Sequence, residues 1–98
     1  MGAYDFIAVG PSGDVETAFF SAREDAASRF GREGYTGTIA EKRDFVVVAD
    51  GPMSPEAAKE CAEQLLESGD ERIRDKRGPA GAIPVDDGSW IFVGYASS

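Results

Sequence analysis

The stretch Gly34–Asp50, GYTGTIAEKRDFVVVAD, decides how the rest of the chain is read. Two β-rich runs, Tyr35–Ala40 and Phe45–Ala49, flank the charged tetrapeptide Glu41-Lys42-Arg43-Asp44. That is the pattern of two strands joined by a short polar turn. Phe45-Val46-Val47-Val48-Ala49 has no polar residue on either face, so it predicts a central strand covered from both sides. The flanking segments are then expected to cover or extend this pair.

Upstream, Tyr4–Val9 reads as a first strand, ended by the turn Gly10-Pro11-Ser12-Gly13. From Asp14 the period changes. Val15, Ala18, Phe19, Ala22, Ala26 and Phe30 recur at three- and four-residue spacing, which predicts a helix over residues 15–30 capped by Asp14 and ended by Gly31 or Gly34. Ser21-Ala22-Arg23-Glu24 has the form of a capping box that would start the helix at residue 22 instead. The apolar stripe runs through Ser21 without a change of phase, so a single helix is preferred.

Downstream, Ser54-Pro55-Glu56 is a strong helix start: Ser caps, Pro costs little at the first helical position, and Glu faces the positive end of the dipole. Ala58, Cys61, Ala62, Leu65 and Leu66 form its apolar face, and Ser68-Gly69 ends it. The charged run Asp70–Arg77, with the one apolar residue Ile73, reads as a solvated connector or a single helical turn. Ala82-Ile83-Pro84-Val85 is a short strand that Pro84 pushes to a sheet edge. Asp86-Asp87-Gly88 is a hairpin turn, and Trp90–Ala96 a last, buried strand. The order β-α-β-β-α-β-β predicts an α+β, two-layer sandwich: about five mostly antiparallel strands, both helices on one face, a ferredoxin-like core plus one strand. The apolar runs Phe45–Val48 and Trp90–Val93 would leave the other sheet face open to a second copy or a partner.

The chain has 98 residues, enough for one domain with its own core. No run approaches the ~20 apolar residues of a membrane span. The first residues, MGAYDFIAVG, lack the basic region and apolar core of a secretory signal, so a cytoplasmic protein is expected. Cys61 is the single cysteine, which excludes an internal disulfide and a cysteine-built zinc cluster. Histidine is absent, removing the usual general base near neutral pH and any Ser-His-Asp or Cys-His site. These residue types disfavour catalysis and suggest no cofactor or metal. With 18 acidic against 10 basic residues, the net charge of −8 repels nucleic acid and anionic membranes and attracts basic protein surfaces. The same acidity also serves solubility.

Three segments carry a resemblance: residues 33–42 (EGYTGTIAEK), 75–83 (DKRGPAGAI) and 90–97 (WIFVGYAS). In that order they resemble a family of small uncharacterised proteins from bacteria, archaea and their viruses. The resemblance implies that the GTIAEK and GPAG segments meet, and it implies no chemistry. Where such relatives often carry an aromatic before Gly78-Pro79, this chain has Arg77.

Two functional expectations follow. The first is an acidic module that binds a protein partner, a basic one, and acts by occupying its surface, as an inhibitor or anti-defence protein would. Glu56, Glu60, Glu63 and Glu67 are its candidate contacts, and mimicry of nucleic acid would need Glu16, Glu24 and Asp25 on the same continuous face. The second is a small-ligand or nucleotide site built from Tyr35, Thr36, Thr38, Glu41, Lys42 and Lys76, drawing on segments 35–42 and 72–81. Gly34 and Gly37 would allow close backbone approach there, although glycines in a strand equally mark a bulge. The basic residues of both segments are interleaved with acids, so local neutralisation competes with a basic patch. Catalysis by Glu41 with Lys42 has only the residue types behind it. The Gly10–Asp14 turn could hold a phosphate at a helix N-terminus, but it lacks both glycine-rich fingerprints and Asp14 would repel an anion.

Overall fold

The computed structural model describes residues 3–31 and 36–97. Four strands and two helices are present among them: β1 Ala3–Gly10, α1 Val15–Phe30, β2 Phe45–Val47, α2 Pro55–Ser68, β3 Ala80–Pro84 and β4 Trp90–Ser97. The sheet is mixed and ordered β1-β4-β3-β2. β4 is antiparallel to β1 and β3, and β2 is parallel to β3.

Both helices form for the expected reasons. The Asp14 carboxylate accepts the Thr17 amide at 3.3 Å, and α1 runs unbroken through Ser21 to Phe30. Ser54 Oγ accepts the Ala57 amide at 3.2 Å, Pro55 opens α2, and Gly69 closes it in the left-handed conformation.

The helices lie on opposite faces of the sheet, not on one. Successive residues of β4 sort the core into two clusters: Phe92 joins Ala18, Phe19, Ala22 and Ala26 of α1, while Ile91 and Val93 join Ala58 and Ala62 of α2. β3 divides likewise, with Ala82 toward α1 and Ile83 toward α2. The connectivity accounts for this. The β1–α1–β2 connection crosses the sheet one way, and β2–α2–β3 steps back the other. Right-handed crossovers in opposite directions place their helices on opposite faces. The fold is therefore a three-layer α/β/α sandwich, with a helix packed on each sheet face where one face was expected to stay open.

Three strand expectations are corrected. Residues 36–40 do not form a strand. Gly37 has φ +71°, and Thr38 caps a single 3₁₀ turn, Ile39–Glu41, by accepting the Ala40 amide at 3.2 Å. Such local side-chain bonds compete with a ladder. β2 is a three-residue edge strand, not a central one. Its run is apolar on both faces because a helix covers each: Phe45 packs on Phe19 and Phe92, and Val48, just beyond it, joins the α2 cluster. β3, expected at an edge, is interior. Pro84 is its last residue, and the missing N–H faces the β2 side only after β2 has ended, where the Pro84 carbonyl accepts the Met53 amide at 3.2 Å. The strand count is four where five were expected.

Candidate functional site

At the end of the sheet where β1, β2 and β3 begin, Lys42 is buried to 1% exposure. Its Nζ donates to three carbonyl oxygens, those of Asp75 at 3.2 Å, Lys76 at 3.3 Å and Gly78 at 3.0 Å. An Asp75-centred turn curls these carbonyls inward, with the Asp75 carboxylate accepting the Arg77 amide at 2.9 Å and the Asp75 carbonyl the Gly78 amide at 2.9 Å. Burial pushes the Lys42 ammonium below the ordinary lysine value of 10.5, and the Asp75 charge opposes that shift. An ammonium offers three donors and no acceptor, so three carbonyls use all of it.

The neighbouring polar residues also satisfy one another. The Glu41 carboxylate accepts both the Thr36 amide at 3.0 Å and the Thr36 hydroxyl at 2.8 Å, and Thr36 and Thr38 share a 2.8 Å hydroxyl contact. Lys76 enters through its carbonyl, and its side chain is only half-buried. Tyr35 lies outside the described residues. The structure thus joins Thr36, Thr38 and Glu41 into one network and Lys42 to the 75–78 turn, a clasp in which the polar groups are spent on each other. Arg72 binds Asp70 through Nε at 3.0 Å, so this part of the basic run is neutralised locally. The Asp70 carboxyl is held down to about 2, first by the Arg72 side chain and then by the Arg72 amide.

The Gly10–Asp14 loop is closed by the β3–β4 turn. Ser12 Oγ donates to the Asp87 carbonyl, the Gly13 amide to Gly88, and Trp90 Nε1 to the Gly13 carbonyl at 3.0 Å.

Glu56, Glu60, Glu63 and Glu67 are all exposed on α2. At ~100° per residue they fall within about 60° of arc, opposite the buried Ala58 and Ala62. Like charges at these spacings cost the helix a few tenths of a kcal/mol per pair, ~0.2–0.5. No ion pair to any of them occurs among the described residues. Glu16, Glu24 and Asp25 lie on α1, across the sheet, so the seven helix carboxylates do not share one continuous face.

The stripe borders a depression of about 510 Å³ lined by Asp5, Ile7, Glu63, Leu66, Glu67 and Tyr95. Tyr95 is fixed there because its hydroxyl donates to the Leu66 carbonyl at 2.5 Å. Asp5, Ile7 and Tyr95 were not among the residues expected from sequence. Period-2 alternation puts Asp5 and Ile7 on one face, but nothing in the sequence pairs β1 with β4 over α2. No group of three or more His, Cys, Asp or Glu among the described residues is placed to hold a metal ion. No described helix is long and apolar enough to cross a membrane. Cys61 is half-buried on the apolar side of α2. Compared with known proteins, the chain matches no family model, no curated sequence and no solved structure.

Proposed function

We propose that the protein is a binding module whose α2 face receives the basic surface of a protein partner. The observation that carries this reading is the depression where Asp5, Glu63 and Glu67 surround Ile7, Leu66 and the Tyr95 ring. A lysine or arginine needs that combination: carboxylates for its charge, apolar surface for its stem, and an aromatic ring nearby. Glu60 and Glu56 extend the acidic track along α2 for further basic residues. The partner is recognised by charge and shape, and occupying its basic surface is the mode of action.

A small-ligand site at residues 36–42 and 75–78 is the less supported reading, because Lys42, Glu41, Thr36 and Thr38 already bond to one another or to backbone.

The test compares two triple variants for capture of a stoichiometric partner from the protein's own source. Asp5→Asn/Glu63→Gln/Glu67→Gln removes three charges at the depression, and Glu16→Gln/Glu24→Gln/Asp25→Asn removes three from the opposite face. Capture is expected to survive the second and fail with the first, and to weaken as salt rises. Equal behaviour of the two variants would remove the α2 face from consideration.

A further inference from the structure

Tyr4, Ile7, Val9 and Phe30 are four of the six large hydrophobic side chains most exposed among the described residues, and all lie on or beside β1. β1 is an outer strand: all eight of its residues pair with β4, and no described residue pairs with its other side. A groove of about 520 Å³ runs between that free edge and α1, with Ala22, Asp25, Ala26, Arg29 and Phe30 along the helix side. The opposite edge, β2, has three residues and offers no comparable ladder.

The direction of each β1 backbone group follows from the register. The Val85 amide donates to the Ser89 carbonyl at 2.9 Å, closing the β3–β4 hairpin with a hydrogen-bonded pair. Antiparallel pairs alternate, so Ile83–Ile91 and Gly81–Val93 are hydrogen-bonded too, and the odd residues of β4 point their backbone groups at β3. Its even residues point at β1, where Phe92 faces Ala8 and Gly94 faces Phe6. The even residues of β1 are thereby used. Ala3, Asp5, Ile7 and Val9 direct their N–H and C=O groups outward, a ladder with no partner among the described residues.

We propose that this edge pairs with the β1 edge of a second copy, antiparallel about a two-fold axis, to give one continuous sheet. A two-fold normal to the sheet pairs residues of like parity, and the chain favours one register. Placing Asp5 opposite Asp5 of the other copy sets two carboxylates side by side. Centring on Ile7 sets Ala3 opposite Pro11, which has no N–H. Centring on Phe6 pairs Ala3 with Val9 and Asp5 with Ile7, so every outward group finds a partner.

The helix above fits the same axis. Gly10 touches α1 at Ala18. Four strand residues back, at Phe6, the rises of ~3.3 and ~1.5 Å per residue place helix position 27 overhead, roughly. Asp25 and Arg29 straddle that position and form an ion pair at 3.3 Å. Across the axis each would face the opposite charge of the other copy, a self-complementary arrangement that a strand from an unrelated protein has no reason to supply.

Each copy carries −8, so association is opposed at low ionic strength and strengthened as salt screens the copies from one another. This is the reverse of the salt dependence of a basic partner on α2, so the two interactions can fail independently.

The experiment is sedimentation equilibrium at low and high salt with amide hydrogen exchange, on the intact chain and on two variants. Ile7→Pro removes an outward N–H, together with the Ile7 side chain of the α2 depression, and takes no donor from the β4 ladder. Val9→Lys keeps every bond and places a charge on the edge away from that depression. A dimer favoured by salt is expected, with slow exchange at Asp5, Ile7 and Val9, and loss of both the dimer and that protection in either variant. A monomer at millimolar concentration in high salt would overturn the proposal. So would a dimer that survives Ile7→Pro or leaves those three amides exchanging fast, or edge protection that appears only when a different protein is added.

Discussion

Lys42 Nζ donates to the Gly78 carbonyl at 3.0 Å, tying together residues 36 positions apart in the chain. The Asp75 carbonyl also receives the Gly78 amide, whereas the Lys76 and Gly78 carbonyls have no other donor among the described residues. Lys42→Met keeps the buried stem and strands those two carbonyls. The expected loss is on the order of 1–3 kcal/mol in urea unfolding, the cost of unmet buried acceptors. A change under ~0.5 kcal/mol would mean that water reaches this turn.

The same lysine gives a pH signature. Its folded pKa lies below the ordinary 10.5, so the unfolded chain binds the proton more tightly. Stability then rises with pH across the window between the depressed value and the ordinary one. The difference in unfolding free energy between the native protein and Lys42→Met should therefore shift in favour of the native protein as pH increases toward 10.5. The other titrations cancel in that difference, and a shift of opposite sign would show a raised pKa.

Asp70 runs the other way. Its carboxyl is held at about 2 by Arg72, so the pair's small contribution is present above the ordinary value of 3.8 and disappears as pH falls through 2. A side-chain NMR titration should find that low midpoint in the native protein and a return toward 3.8 in Arg72→Ala.

The helices were legible in the sequence because their signals are local. Asp14, the Ser54-Pro55 pair and Gly69 act within one turn of where they stand. The layer arrangement was not legible, since it depends on the spatial order of strands. Phe45-Val46-Val47-Val48 is apolar on both faces in an edge strand covered by two helices, just as it would be in a central one. Pro84 argued for an edge, yet what matters is the direction its missing N–H would point. At the candidate site, Glu63 and Glu67 could be read from helical spacing. Asp5 and Tyr95 could not, because they join them only through the β1–β4 pairing.

Phe92 is central to the α1 layer. Its ring meets Phe19 at 5.4 Å and Phe45 at 6.4 Å between centroids, and it is fully buried. Phe92→Ala should cost about 3–5 kcal/mol in chemical denaturation, because neither helix nor sheet can close the space without moving the other two rings. Phe20→Ala, at an exposed position of α1, should stay within ~0.5 kcal/mol of the parent.

At Gly10, β1 lies tightly against α1. A Cβ there would stand 2.8 Å from the Ala18 carbonyl oxygen, 2.8 Å from Phe92 Cε2 and 3.0 Å from Ala18 Cβ. The first of these atoms is helix backbone, so relief requires α1 to lift from the sheet, not a side chain to rotate. Gly10→Ala is expected to destabilise by about 1–3 kcal/mol, the usual cost of overpacking. Gly51→Ala provides the contrast: a Cβ there meets nothing within 4 Å and needs no positive φ. That variant should be neutral, or more stable by up to ~1 kcal/mol through a less flexible unfolded chain. If the two alanines behaved alike in urea unfolding, the tight packing of α1 on β1 at Ala18 would be wrong. The groove along β1 would then lose the wall that defines it.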